Sequence, residues 1–222
     1  MAVDVKICGI TGGPALDAAI AGGARFLGFV FYPRSPRALT VEAAASLASR
    51  VPQTMTRVGL FVDEPDATMD AILRVVPLDM LQLHGRETPA RVAELRRRFG
   101  RPVMKAITVA AAGDVDVASA FDGIADWLLF DAKAPPDMKG ALPGGNALSF
   151  DWALLADRRW RRPWMLSGGL TVDNLAEAVR IAGAAVVDVS SGVEDRPGAK
   201  SPAKIAEFLK LAHSLSPPAA PA

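Results

Sequence analysis

The feature that most constrains the fold is a repeated rhythm. A short apolar run reads as a strand, a polar or glycine-bearing turn follows, and then a stretch with a helix start signal and one apolar face. The strands fall at residues 5–11, 26–31, 57–62, 80–83, 103–107, 127–130, 164–166 and 186–189. Helices are predicted over 14–22, 41–49, 65–75, 89–99, 171–181 and 201–214, with a weaker one over 110–121 broken by Gly113 and a short one over 150–157. Units of roughly 25 to 30 residues are what parallel strands with crossover helices require. A doubly wound open sheet shares that local pattern, so the strand ends decide. Cys8-Gly9, Ser35 to Arg37, Asp63, His84-Gly85, Asp131, Ser167-Gly168-Gly169 and Ser190-Ser191-Gly192 all sit just beyond a strand. Functional groups gathered at the C-terminal ends of the strands mark a single α/β domain, an eight-stranded TIM (β/α)8 barrel over residues 1–216, with 217–222 as a frayed tail.

A chain of 222 residues, half of it hydrophobic, is long enough for one such domain. Its formal net charge of +1 leaves no electrostatic footprint for nucleic acid or an anionic membrane. No run of about 18 apolar residues is present to span a bilayer. One cysteine cannot form an internal disulfide, and the first residues lack the charged start and apolar run of a signal peptide, so a cytoplasmic location is expected.

The first strand is unusual. Alternation sends Val5 and Ile7 to one face and Asp4, Lys6 and Cys8 to the other, so one face is apolar while the other carries a carboxylate, an ammonium and a thiol. At the other end of the chain, Ser167-Gly168-Gly169-Leu170 precedes a predicted helix and Ser190-Ser191-Gly192-Val193 follows the last strand. These turns place bare backbone N–H groups where barrels bind phosphate. A single glycine pair would read as a tight turn only, and the two together favour phosphate. Between Ala132 and Ser149 lie three glycines and three prolines, a segment too long and broken for a plain connection and suited to an active-site loop.

Lys6-Ile7-Cys8-Gly9-Ile10-Thr11, Ser35-Pro36-Arg37, Gln82-Leu83-His84-Gly85, Leu128-Leu129-Phe130-Asp131, Phe150-Asp151-Trp152, Ser167-Gly168-Gly169-Leu170 and Asp188-Val189-Ser190-Ser191-Gly192-Val193-Glu194 together resemble the phosphoribosylanthranilate isomerase family of tryptophan biosynthesis. The resemblance runs in order from residue 6 to about 200, and the ordered set is far more specific than any one motif. It implies an Amadori rearrangement of N-(5-phosphoribosyl)anthranilate to the carboxyphenylamino-deoxyribulose phosphate, with no metal and no organic cofactor. It also implies a small-molecule partner and a monomer or homodimer.

Residue by residue, the resemblance makes Asp131 the general acid and Cys8 the general base. An acid must carry its proton, which calls for burial around Asp131, and a free thiol is only a few per cent thiolate at neutral pH. Lys6, on the same strand face, either stabilises the thiolate or pairs with Asp4 or another interior carboxylate. Arg37 matches the residue that holds the anthranilate carboxylate, whereas Arg34 reads as solvated. His84 is placed near substrate or as a hydrogen-bonded structural histidine, and Asp188 either bonds ribose hydroxyls or pairs with Lys6. Gly168, Gly169, Ser190, Ser191 and Gly192 are the phosphate ligands, and His213 reads as surface.

One segment departs from the family. Many members carry Gly-Gly-Thr-Gly before Phe-Asp-Trp where this chain has Gly144-Gly145-Asn146-Ala147, so the geometry of a mobile loop lengthened by residues 134–142 is the least constrained expectation. Two other readings stay open: another phosphosugar barrel, such as an epimerase, and a barrel that binds a phosphorylated ligand without turning it over. Cys8 and Asp131 together favour the isomerase.

Overall fold

Each apolar run becomes a strand buried on both faces, and alternation gives the two faces different neighbours. The computed structural model describes residues 2–156 and 158–216, so the expected tail lies outside the described residues. Strands β1 (Asp4–Cys8), β2 (Phe26–Val30), β3 (Thr56–Phe61), β4 (Met80–Leu83), β5 (Val103–Val109), β6 (Trp127–Ala132), β7 (Trp164–Leu166) and β8 (Val186–Val189) pair in sequence order and close into a barrel, with β8 beside β1. All of these pairings are parallel. Val5, Ile7, Leu27, Phe29, Leu128, Phe130, Val187 and Val189 point outward into the layer shared with the helices. Phe26, Val58, Met80, Met104, Leu129, Met165 and Val186 pack against one another inside the barrel.

Further along each strand the interior stripe turns polar. Met80 is followed two residues on by Gln82 and then by His84, Leu129 by Asp131, Met165 by Ser167, and Val186 by Asp188 and then Ser190. The apolar plug therefore fills the barrel at the N-terminal ends of the strands, and the polar groups collect at the opposite rim.

Helices α1 (Gly13–Ala21), α2 (Val41–Ala48), α3 (Asp66–Val75), α4 (Pro89–Phe99), α5 (Ala112–Asp116), α6 (Leu175–Ala182) and α7 (Pro202–Ser214) cover the outside. Thr40 caps α2 by accepting from Ala43 N at 3.2 Å, and Thr88 caps α4 by accepting from Arg91 N at 3.3 Å. Gly100, at φ +58°, ends α4 in the left-handed conformation that suits glycine.

Three expectations need correction. The helix expected over 110–121 is α5 followed by a 3-10 turn (Val117–Ala120), because Gly113 and Asp114 in a five-residue helix give it little length to propagate. Between β6 and β7 no α-helix forms among the described residues, only a 3-10 turn (Trp152–Leu155). There the outer face of β6 is covered by aromatic side chains: Phe130 packs on Trp160 with centroids 5.1 Å apart and on Trp164 at 5.7 Å. The helix expected from residue 171 starts at Leu175, since Asn174 folds back to accept from Thr171 N at 2.8 Å and donate to Gly169 O at 2.9 Å.

The chain also builds an unexpected small hairpin after β8. A 3-10 turn (Ser191–Val193) leads into β9 (Glu194–Arg196), which pairs antiparallel with β10 (Ala199–Lys200).

Candidate active site

β1 and β8 are register neighbours, Lys6 opposite Asp188, so both side chains enter the barrel at the same level. Lys6 Nζ donates to Asp188 Oδ1 at 2.8 Å, and Ser167 Oγ on β7's end donates to Asp188 Oδ2 at 3.0 Å. Of the two readings for Lys6 and Asp188, the interior ion pair is thus present, while Asp4 instead pairs with Arg25 at the surface. Burial pulls the Lys6 ammonium toward losing its proton, but the Asp188 carboxylate and Cys8 outweigh it and raise its pKa to about 12.

Cys8 ends β1 beside Lys6, opposite Gly28 of β2. A methyl group at position 28 would stand 3.0 Å from Cys8 Sγ and 3.3 Å from Lys6 Nζ, so glycine there gives both groups their room. Burial pushes the Cys8 thiol upward from its ordinary value; Lys6 opposes this and Asp188 reinforces it.

Across the barrel Asp131 lies on β6, buried, with Oδ1 accepting from Ala132 N at 2.9 Å. Its Oδ2 stands 3.3 Å from His84 Nε2. His84 Nδ1 meets the Gln82 amide at 3.1 Å, and buried Nε2 has no hydrogen-bond partner of its own among the described residues. Gln82, absent from the expected site, is signalled by its place in the Gln82-Leu83-His84-Gly85 motif and by the period of two that links it to His84.

Arg37 is buried and Arg34 exposed. Gly9 makes that burial possible: it has φ +78°, and a Cβ there would lie 2.6 Å from Arg37 Cδ. The Arg37 guanidinium does not stand free in the pocket. Nε donates to Glu194 Oε1 at 2.7 Å and Nη2 to Glu194 Oε2 at 2.9 Å. Burial raises the Glu194 carboxyl, but Arg37 and Lys200 overcome it and hold the group below the usual carboxylate range.

The two glycine turns come together at the rim between β7 and β8. Gly168 and Gly169 adopt φ +91° and +61°, and among the described residues their N–H groups meet no protein acceptor. Gly192 packs directly on the Leu170 carbonyl, where a methyl group would collide, so the turns lean on each other. Ser190 Oγ donates to Cys8 O at 3.1 Å, tying the second turn to the end of β1. Because α6 begins only at Leu175, the first turn presents loop N–H groups rather than a helix N-terminus.

Over this rim runs the 132–149 segment, of which Ala132 belongs to β6. Leu142 to Asn146 line the pocket together with Cys8, Arg37, His84, Asp131 and Asp188. Asn146 accepts from Leu142 N at 3.0 Å and donates to Leu142 O at 2.7 Å, closing a tight turn, and Ala147 takes φ +57°. His213 is exposed in the last turn of α7. Among the described residues no three His, Cys, Asp or Glu side chains converge as a metal site requires. No helix there is long and apolar enough to cross a membrane.

A pocket at the C-terminal rim of a parallel barrel thus brings together a buried carboxyl, a thiol beside an ammonium, an arginine and two glycine turns. A family model described as N-(5'phosphoribosyl)anthranilate (PRA) isomerase matches residues 5–211. The N-(5'-phosphoribosyl)anthranilate isomerase of Rhodospirillum centenum is 62% identical over 97% of this chain and 100% of its own length. The crystal structure of phosphoribosyl anthranilate isomerase from Thermotoga maritima superposes with TM-score 0.85 at 36% identity, covering 96% of this chain and 100% of that one. A further isomerase structure, solved in complex with reduced 1-(o-carboxyphenylamino)-1-deoxyribulose 5-phosphate, has TM-score 0.82 at 33% identity, with 96% and 100% coverage. The chain belongs to the N-(5'-phosphoribosyl)anthranilate isomerase family.

Proposed function

We propose that this chain isomerises N-(5'-phosphoribosyl)anthranilate for tryptophan biosynthesis, with Asp131 as the acid and Cys8 as the base. The observation that carries the reading is the placement of these two groups in one pocket, at the ends of β6 and β1, between the glycine turns and Arg37. Opening the furanose ring needs a proton on its ring oxygen as the anthranilate nitrogen pushes its electron pair into an iminium. Asp131 supplies that proton. Removing the proton from the sugar's C2 then turns the iminium into an enol-amine, which relaxes to the ketone. Cys8 takes that proton, with the Lys6 ammonium beside it to hold the negative charge.

Binding groups follow from charge and shape. The N–H groups of Gly168 and Gly169, with Ser190, Ser191 and Gly192, suit the phosphate dianion. Arg37 suits the anthranilate carboxylate. His84 and Asp188 line the same pocket and suit contact with the ribose, with Lys6 buried behind Asp188. This is cytoplasmic chemistry on a small phosphorylated sugar, in a monomer or homodimer. The test is genetic: the chain should restore growth without tryptophan to a host deleted for its own isomerase. Failure to do so with soluble, folded protein present would reject the activity.

A further inference from the structure

The Arg37 guanidinium has two edges that can each take a carboxylate in bidentate fashion, and Glu194 occupies one of them. The remaining edge carries Nη1 and the second hydrogen of Nη2; Nη2 makes only a long contact to Gly145 O at 3.4 Å, and Nη1 lies against Gly145, where even a methyl group would approach to 2.7 Å. Gly145 lines the same pocket as Cys8 and Asp131.

An Arg–Glu pair by itself is neutral and would draw no anion. Lys200, opposite Glu194 in the hairpin register, supplies the missing charge: its Nζ donates to Glu194 Oε1 at 2.5 Å. Nζ also donates to Ser190 O at 3.1 Å, and its side chain is fully buried. Burial lowers the Lys200 ammonium from its ordinary value and Glu194 opposes that; with Arg37 and Lys200 protonated and Glu194 ionised, the cluster carries one net positive charge in a place shielded from water, where charges act strongly. The hairpin that carries it is fixed from outside the pocket. Thr11 Oγ1 donates to Gly198 O at 3.0 Å, and Gly198, at φ +82°, packs directly on Pro36 O.

We propose that Glu194 is a positioning residue that turns Arg37 into a one-edged carboxylate receptor, with Lys200 restoring the positive charge that Glu194 removes. The inference rests on the assignment of Arg37 to the substrate's anthranilate carboxylate. It predicts a selective defect. Glu194→Gln keeps the shape but loses the charge and one acceptor, so Arg37 is free to rotate away from the carboxylate.

The experiment measures KM and kcat for phosphoribosylanthranilate together with Kd for two probes. One is the reduced product analogue, which carries the carboxylate, and the other is ribulose 5-phosphate, which lacks the anthranilate ring. Glu194→Gln should raise KM and the analogue's Kd about tenfold or more, the scale of one charge-assisted hydrogen bond. It should leave ribulose 5-phosphate binding within about twofold, and add nothing further in an Arg37→Ala background. Glu194→Asp, confirmed folded by circular dichroism, should give the same selectivity at smaller size and carries the test if Glu194→Gln does not fold.

Equal weakening of both probes, or an effect that adds to Arg37→Ala, would overturn the positioning role. If Arg37→Ala raises KM while the Glu194 variants do not, only this inference falls. If Arg37→Ala leaves KM unchanged, the carboxylate assignment falls with it.

Discussion

Lys6 Nζ on β1 lies 2.8 Å from Asp188 Oδ1 on β8, both side chains buried in the barrel at the seam where the sheet closes. A buried charge pair with good geometry contributes little against an apolar replacement, but it becomes costly once one member loses its charge. The Lys6 pKa lies at about 12 in the fold, against 10.5 for a free side chain, so the folded protein holds that proton more tightly than the unfolded chain. The stability this confers is complete below pH 10.5 and is lost as pH rises toward about 12. Urea midpoints followed across that window should fall more steeply for the wild type than for a Lys6→Met, Asp188→Leu double variant. Parallel slopes would show that the pair does not titrate there.

The Cys8 thiol sits above its ordinary value because burial outweighs the pull of Lys6. A base that is largely protonated at neutral pH works in proportion to its thiolate fraction. kcat/KM should therefore still be climbing at about pH 9, the ordinary thiol value. Lys6→Met should push the rising limb further to the alkaline side. A profile already flat between about pH 7 and 9 would contradict Cys8 as the base.

Gly144 is pressed against the acid. A methyl group there would collide with Asp131 Oδ2 and stand 2.7 Å from His84 Nε2. Gly144→Ala should hold the 132–149 segment off the pocket and lower kcat about tenfold or more, since displacements near 1 Å at reacting groups carry penalties of that size. The melting temperature should change little, because beyond Ala132 the segment contributes no strand or helix. Unchanged kcat would mean that the segment's contact with Asp131 and His84 is incidental.

How far the chain could be read in advance depended on the range of the interaction. Strand positions came out within about two residues at either end, save that β1 ends at Cys8 rather than residue 11, because apolar runs bounded by glycine and polar turns are local signals. Arg37 was separable from Arg34 by motif alone, and the polar face of β1 followed from alternation. What escaped involved partners far apart in sequence. Glu194 grips Arg37 across 157 positions, and the charged, three-residue β9 carries no strand signature. The helix missing after β6 is replaced by packing of Phe130 on Trp160 and Trp164, which no periodicity announces. Asn146 and Ala147 marked a departure from the family whose outcome is set by the local turn: Asn146 closes a turn on Leu142, and Ala147 carries the left-handed φ of +57° that glycine would adopt without strain.

The central claim, acid catalysis by Asp131 in an isomerase that needs no metal, is tested most directly by the fluorescence of freshly generated phosphoribosylanthranilate in buffer containing a chelator. With wild type the signal should decay rapidly, and with Asp131→Asn the rate should fall about a hundredfold or more while the folded spectrum is retained. Equal decay with both proteins, or none with wild type, would contradict the account.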